Sequence, residues 1–241
     1  MQRALAFLTP FGRAAQPVPA TLAWFPAVGV LLGLAVGSVW WLCSRAWPAL
    51  VAAGIVVAAD LALTGLLHMD GLADAGDGLL APLDRQHRLD AMADPAVGAF
   101  GAISVAIALL LRCAAFAAVH PAVLVIAGLW CASRTAMVVV MQSLPYARPG
   151  GLAEAFVDIG PVGGRGRALL YGAVGVGLCA SVALVALGRG IHGLVALGSE
   201  LVAIAAVAGL ARRRIGGFTG DVLGASCVVG ETVGLLALVA R

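Results

Sequence analysis

The sequence predicts an all-α, polytopic membrane bundle of about seven transmembrane helices, folded as a single domain over residues 1–241 with its N-terminus in the cytoplasm. Three observations predict it. The chain is 62% hydrophobic and 11% charged with a mean hydropathy of +1.04, a composition that no water-soluble domain of 241 residues sustains. Windows of about 20 mostly apolar residues recur at 22–43, 49–67, 98–119, 121–141, 168–188, 191–210 and 222–240, each long enough to cross the hydrocarbon layer as a helix. Finally, the basic residues, all of them Arg, alternate in density from one connection to the next. Counted from a cytoplasmic N-terminus, the inner segments hold Arg3, Arg13, Arg85, Arg88, Arg148, Arg165, Arg167, Arg212, Arg213 and Arg214, and the outer ones only Arg45, Arg189 and Arg241. The odd number of crossings that follows puts the C-terminus outside.

The net charge of +3 is small and gathers on no single face, which excludes nucleic acid as a partner. Cys43, Cys113, Cys131, Cys179 and Cys227 stand singly in apolar runs and read as small buried residues. A cleaved signal peptide is not expected, because the first apolar run begins near residue 22 and is long enough to span.

Residues 1–21 form a cytoplasmic lead-in, made irregular near the membrane surface by Pro10, Pro17 and Pro19. The first span carries Gly29, Gly33 and Gly37 at four-residue intervals, a stripe that lets another helix approach closely and permits a homo-oligomer without requiring one. In the second span Asp60 needs a partner, and Arg112 and Arg134 are the candidates; a contribution to a metal site is the other reading.

Residues 68–97 are the cytoplasmic metal-binding segment. They open with His68-Met-Asp-Gly-Leu-Ala-Asp-Ala-Gly-Asp-Gly78. On a helix, steps of four and three place Asp70, Asp74 and Asp77 on one face, with His68 roughly opposite. Neighbouring carboxylates about 6 Å apart repel by about 3 kcal/mol at an effective dielectric near 20, so the face wants a cation. Hard oxygen ligands suit Mg²⁺, or Mn²⁺, bridging to substrate phosphates. Pro82 ends the helix, and Asp84, Arg85, His87 and Arg88 form a solvated turn. Asp94, just before Pro95, is a further ligand, a general base or simply a helix cap, while Asp90 reads as surface.

Further on, Ser133-Arg134 sits among apolar residues, where a guanidinium must find a carboxylate or a phosphate. The long polar loop from Tyr146 to Arg167, with Arg148, Glu154 and Asp158, either holds an anionic substrate or merely connects spans. Glu200 and Glu231 are lone acids at depth, read as partnered structurally. The turn Gly216-Gly-Phe-Thr-Gly220-Asp221 offers Gly217 for close backbone approach to a phosphate, with Thr219 and Asp221 as polar or metal-bound groups.

These stretches together resemble the cobalamin synthase family, the adenosylcobinamide-GDP ribazoletransferases. The residues that carry the resemblance are 68–78, Asp94 with Gly98 and Gly101, Ser133-Arg134, Tyr146-Ala-Arg148 with Gly151-Leu152, and Gly216 to Ala225, in the family's order. Pro95-Ala96 stands where the family often has Ser-Arg. The resemblance implies an enzyme of the bacterial cytoplasmic membrane with its active site facing the cytoplasm. Its substrates would be adenosylcobinamide-GDP and α-ribazole, or α-ribazole 5′-phosphate, and its products adenosylcobalamin, or its 5′-phosphate, and GMP. Under it, Asp70, Asp74 and Asp77 hold Mg²⁺ on the diphosphate, Asp94 and Asp221 act as catalytic carboxylates, and Arg134, Arg148, Thr219 and Gly217 contact substrate.

Three other readings are weaker. A CDP-alcohol phosphotransferase would have an arginine following its first aspartate motif, which this chain lacks. A UbiA-like prenyltransferase would need two acidic repeats, where this chain has one dense cluster. An ion-coupled transporter would use Asp60, Glu200, Glu231, Arg112 and Arg134 as a pathway, yet the acids concentrate outside the spans.

Overall fold

The computed structural model describes residues 1–11, 18–148, 156 and 164–240, and among these it is helical from end to end, with one isolated β-bridge. Arg13, Pro17, Gly151, Leu152, Glu154 and Asp158, named above, lie outside the described residues. In order the helices are α1 (Gln2–Leu8), a short 3-10 turn (Pro19–Trp24), α2 (Phe25–Ala46), α3 (Ala49–Leu63), α4 (Leu67–Leu80), α5 (Arg85–Ala91), α6 (Ala99–Ala118), α7 (Val123–Ser143), α8 (Gly164–Ile215) and α9 (Gly220–Val239).

The apolar windows all reappear as helix. α8 holds two of them and is broken at Arg189–Gly190, the gap between the two windows, where Gly190 takes φ +56°. The chain doubles back there: Gly193 packs against the Val185 backbone, and Arg189 Nη2 donates to the His120 carbonyl at 2.6 Å. Among the described residues, five helices are long and apolar enough to cross a membrane alone, α8 counted once. α3 and α4 reach that length only as a pair bent by 90°. The 49–67 window therefore ends early, at Leu63. Gly65 (φ +59°) and Leu66 (φ +62°) make the corner, and a left-handed leucine is held at a cost of about 1–2 kcal/mol by what surrounds it.

α7 forms the core, with every residue from Val125 to Val138 buried. The Gly29, Gly33, Gly37 stripe of α2 packs on it inside the same chain: a Cβ at Gly33 would stand 2.5 Å from Ala127 Cα. That stripe is thus occupied by a neighbour helix and is not a free oligomer surface. Large apolar side chains of α6 and α8, among them Leu110, Leu169, Leu187 and Val202, face outward as a lipid-contacting side chain should. Ahead of the prolines, α1 forms and buries Ala4 and Leu8, and Pro19 opens a 3-10 turn.

A buried ionic network crosses this bundle. Arg112 Nη1 donates to Asp60 Oδ2 at 3.0 Å, and Trp130 Nε1 donates to Asp60 Oδ1 at 2.9 Å. Arg112 and Arg134 both donate to Glu231, and Ser133 Oγ donates to Glu231 Oε1 at 2.8 Å. Helices α3, α6, α7 and α9 are thereby tied through charge-assisted bonds, the arrangement an ion in hydrocarbon requires. Glu200 departs from expectation: it is fully buried against Gly230 and Gly234, and neither oxygen has a hydrogen-bond partner among the described residues.

Candidate active site

The turns bearing the predicted site residues gather at one end of the bundle. The α3–α4 corner, the α4–α6 segment, the loop after α7 and the α8–α9 turn all meet there, while Ala46–Ala49, Ala118–Val123 and the α8 break lie at the other. α4 is the floor of this end. Its apolar residues Met69, Leu72, Ala75 and Leu79 are buried, and Asp70 is exposed with Asp74 and Asp77 half-exposed on the other side, as the spacing predicts. Three glycines let neighbours close on it. Gly71 meets the Asp221 backbone at 3.0 Å, Gly76 meets Gly101 Cα at 3.0 Å, and Gly78 lies 2.9 Å from the Arg88 carbonyl, all measured from an added Cβ.

The three aspartates then divide. Asp77 Oδ2 accepts the Gly98 N–H at 2.7 Å and Oδ1 accepts the Gly101 N–H at 2.9 Å, so this carboxylate caps the N-terminus of α6. Asp77 thus stands first as a cap, and any service to a metal would have to share oxygens already engaged by positive helix-end dipoles. Asp70 and Asp74 make no such bonds. Asp74 lies within electrostatic reach of Asp221, Asp70, Arg148 and Asp77, and Asp221 within reach of Arg148 and Asp70. Among the described residues no three His, Cys, Asp or Glu side chains stand as a ready protein-only metal cage.

Asp221 enters from the first turn of α9, and Thr219 sets it. Thr219 is the N-cap, fully buried; its Oγ1 accepts the Val222 N–H at 3.3 Å and donates to Asp221 Oδ2 at 3.2 Å. Thr219 therefore orients a carboxylate, and a direct contact with substrate is not open to it. Gly217 is corrected likewise. A Cβ there would fall on the Pro145 carbonyl, so its missing side chain admits a protein strand and not a phosphate. That strand is the Tyr146–Phe218 bridge, with Ala147 N–H donating to the Phe218 carbonyl at 2.8 Å and Phe218 N–H to the Pro145 carbonyl at 3.0 Å. The bridge delivers Arg148, whose Nη1 stands 3.8 Å from Asp221 Oδ2 and donates to the Met92 carbonyl at 3.3 Å.

Arg134 does not join this group. It is 1% exposed and committed to Glu231 and Ser133, with Nη2 3.5 Å from His68 Nδ1, so the expectation that it contacts substrate is overturned by its ion pair inside the bundle. Asp60 is paired structurally as well. Asp94 is exposed in the 92–98 turn; Oδ1 accepts the Ala96 N–H at 2.9 Å, the bond of a local turn, and Oδ2 makes none among the described residues.

The solvated turn expected of Asp84, Arg85, His87 and Arg88 is a short helix instead, and its two arginines shape this end. Arg88, 5% exposed, donates from Nη1 to the last carbonyls of α4, Gly78 at 2.7 Å and Leu79 at 2.9 Å. Arg85 donates from Nε to the Ile215 carbonyl at the end of α8, 2.9 Å. The turn that holds them is capped by Asp84, which accepts the Gln86 and His87 N–H groups. These bonds, with the His87 ring at 2.6 Å, hold the Asp84 carboxyl below the usual range and raise His87 above its own. No short-range pattern announces a cap formed between elements.

Compared with known proteins, the chain matches the family model described as cobalamin-5-phosphate synthase over residues 2–239. The chain belongs to the cobalamin-5-phosphate synthase family. Relatives named adenosylcobinamide-GDP ribazoletransferase bear this out. The protein of Chlorobium phaeovibrioides is 38% identical over 234 residues, 95% of this chain and 91% of its own length. Those of Citrobacter koseri and Brucella ovis are 35% and 37% identical, each covering 89% of this chain and 85% and 84% of their own lengths. No solved structure matches. Membership in this family sets aside the CDP-alcohol, prenyltransferase and transporter readings.

Proposed function

We propose that this chain transfers the phospho-cobinamide group of adenosylcobinamide-GDP to α-ribazole or its 5′-phosphate, releasing GMP, at the cytoplasmic face of the inner membrane. The observation that carries the reading is the meeting of Asp70 and Asp74 of α4 with Asp221 of α9 and Arg148, an acidic pocket with one cation at the membrane boundary. The names of the relatives supply the substrate, and the family's description points to a phosphorylated product.

The donor set fits Mg²⁺. This ion takes one or two protein carboxylates and completes its shell with water and substrate phosphate, so open aspartates without a closed cage are what it uses. One or two of Asp70, Asp74 and Asp221 would hold it directly and the remainder through its waters, and when bound it would supply charge neutralisation to the diphosphate. The protein's own share is positioning. A ribose hydroxyl of the acceptor attacks the phosphorus bearing cobinamide; that P–O bond forms, the bond to GMP breaks, and the hydroxyl proton passes to a carboxylate. Asp94, exposed two residues after Met92, whose carbonyl holds Arg148, is the base we assign, with Asp221 kept beside Arg148 as ligand. Arg148 neutralises the departing phosphate, trading its 3.8 Å contact with Asp221 for it.

The test is GMP release by the purified protein in liposomes. It should require adenosylcobinamide-GDP, ribazole and Mg²⁺ together, and chelation should abolish it. Release without an acceptor, or turnover in excess chelator, would overturn the proposal.

A further inference from the structure

We propose that Arg85 and Arg214, backed by the buried charge of Arg88, form a phosphate-binding subsite beside the aspartate pocket. The inference rests on the transferase reading for its substrate and adds to it a place for a second phosphate, outside the diphosphate.

The geometry is of cations in excess: Arg88 feels both the repulsion of Arg214 and the attraction of Asp84. Arg85 is exposed, and its guanidinium is fixed at one edge by the Nε bond to Ile215 carbonyl and by Gly216, whose added Cβ would lie 3.6 Å from Nε. Its terminal nitrogens have no hydrogen-bond partner among the described residues. Arg214, exposed in the last turn of α8, makes no ion pair among them and lies close enough to Arg88 for the two charges to repel. Arg88 is spent on the end of α4, so it contributes field and no free donor. The local acids are already engaged: Asp84 by His87 and the α5 N–H groups, Asp90 by Gln86 Nε2 at 3.0 Å. Three guanidinium groups against the two local carboxylates leave a positive excess that suits an anion, and guanidinium forks suit phosphate oxygens.

Position ties the cluster to the site. α5 has seven residues and is about 10 Å long. Arg85 stands at its start, and Met92, which receives Arg148, follows its end. The two ends of α5, one beside Arg85 and the other beside the carbonyl that receives Arg148, are thus on the order of 10 Å apart, a separation that a nucleotide-sized acceptor can bridge. Arg212 and Arg213, also exposed on the same turn, fan away by about 100° per residue and serve as ordinary cytoplasmic anchors.

A phosphate reaching this place has two sources, the 5′-phosphate of the acceptor or an anionic lipid headgroup, and one experiment separates them. Arg85→Ala and Arg214→Ala proteins, with Arg214→Lys as the charge-keeping control, are assayed in phosphatidylcholine liposomes with α-ribazole 5′-phosphate and with α-ribazole, then again with phosphatidylglycerol added. The expected result is a fall of about tenfold or more in the ratio of kcat/KM for phosphorylated over unphosphorylated acceptor, restored by Arg214→Lys. An unchanged ratio with loss of the response to phosphatidylglycerol assigns the site to lipid phosphate. If neither quantity moves in either alanine variant, the subsite does not exist. Calorimetric binding of α-ribazole 5′-phosphate needs no turnover, so its loss in Arg214→Ala upholds the subsite even where GMP release fails and the transferase reading falls.

Discussion

Asp74 and Asp77 are one turn apart on the same helix face, yet their carboxylates have different work, and replacing each by asparagine separates the two. The Asp77→Asn side chain would keep one carbonyl oxygen for the two N–H groups of Gly98 and Gly101, and it would lose the charge facing the α6 dipole. A helix cap is worth about 0.5–2 kcal/mol, and this one is only half-buried, so about 1 kcal/mol is expected, or about 2–4 °C in unfolding temperature for a chain of this size. Asp74→Asn removes no hydrogen bond. It relieves a carboxylate repulsion of about 3 kcal/mol that a bound cation would offset, so apo stability should hold or rise, while the Mg²⁺ needed for half-maximal turnover should climb by about a hundredfold. The assay is paired: unfolding in detergent without metal, and GMP release titrated with Mg²⁺. Equal rises in Mg²⁺ requirement for both variants, with unfolding unchanged in Asp77→Asn, would refute the division and return Asp77 to the metal.

Other expectations follow from the same packing. Glu231→Gln leaves Arg112 and Arg134 facing each other in the bundle and should destabilise by about 3–5 kcal/mol, seen as a lower unfolding temperature and poor membrane yield. Gly217→Ala should break the Tyr146–Phe218 bridge and lower kcat by at least about tenfold through a displaced Arg148, whereas Gly220→Ala, with open space around its Cβ, should leave the unfolding temperature unaltered. Gly33→Val should cost about 3 kcal/mol by forcing α2 off Ala127 without changing the oligomeric state on size exclusion.

Fold and family were legible in the linear chain because each rests on local information. The apolar windows needed only hydropathy, and even the break at Arg189–Gly190 fell where two windows met. The shared face of Asp70, Asp74 and Asp77 followed from helical period alone, and the glycines between them were a readable sign, since glycine inside a helix costs about 1 kcal/mol unless something must come close. Asp60 needed a partner, and Arg112, one of the two candidates, is the one it bonds; for Arg134 the need was legible and the particular carboxylate was not.

What the amino-acid order determined by itself is a membrane bundle with acids concentrated at one end, because hydropathy and period act between neighbours in the chain. Only the tertiary structure decided which acid is free. Asp77 was claimed by amides 21 and 24 residues further on, Arg134 by a carboxylate 97 residues away, and Gly217 by a strand of the loop after α7. A carboxylate looks the same in sequence whether it caps a helix or awaits a cation. The difference lies in which backbone N–H groups the fold brings within hydrogen-bonding distance, and that is settled by packing across the whole chain.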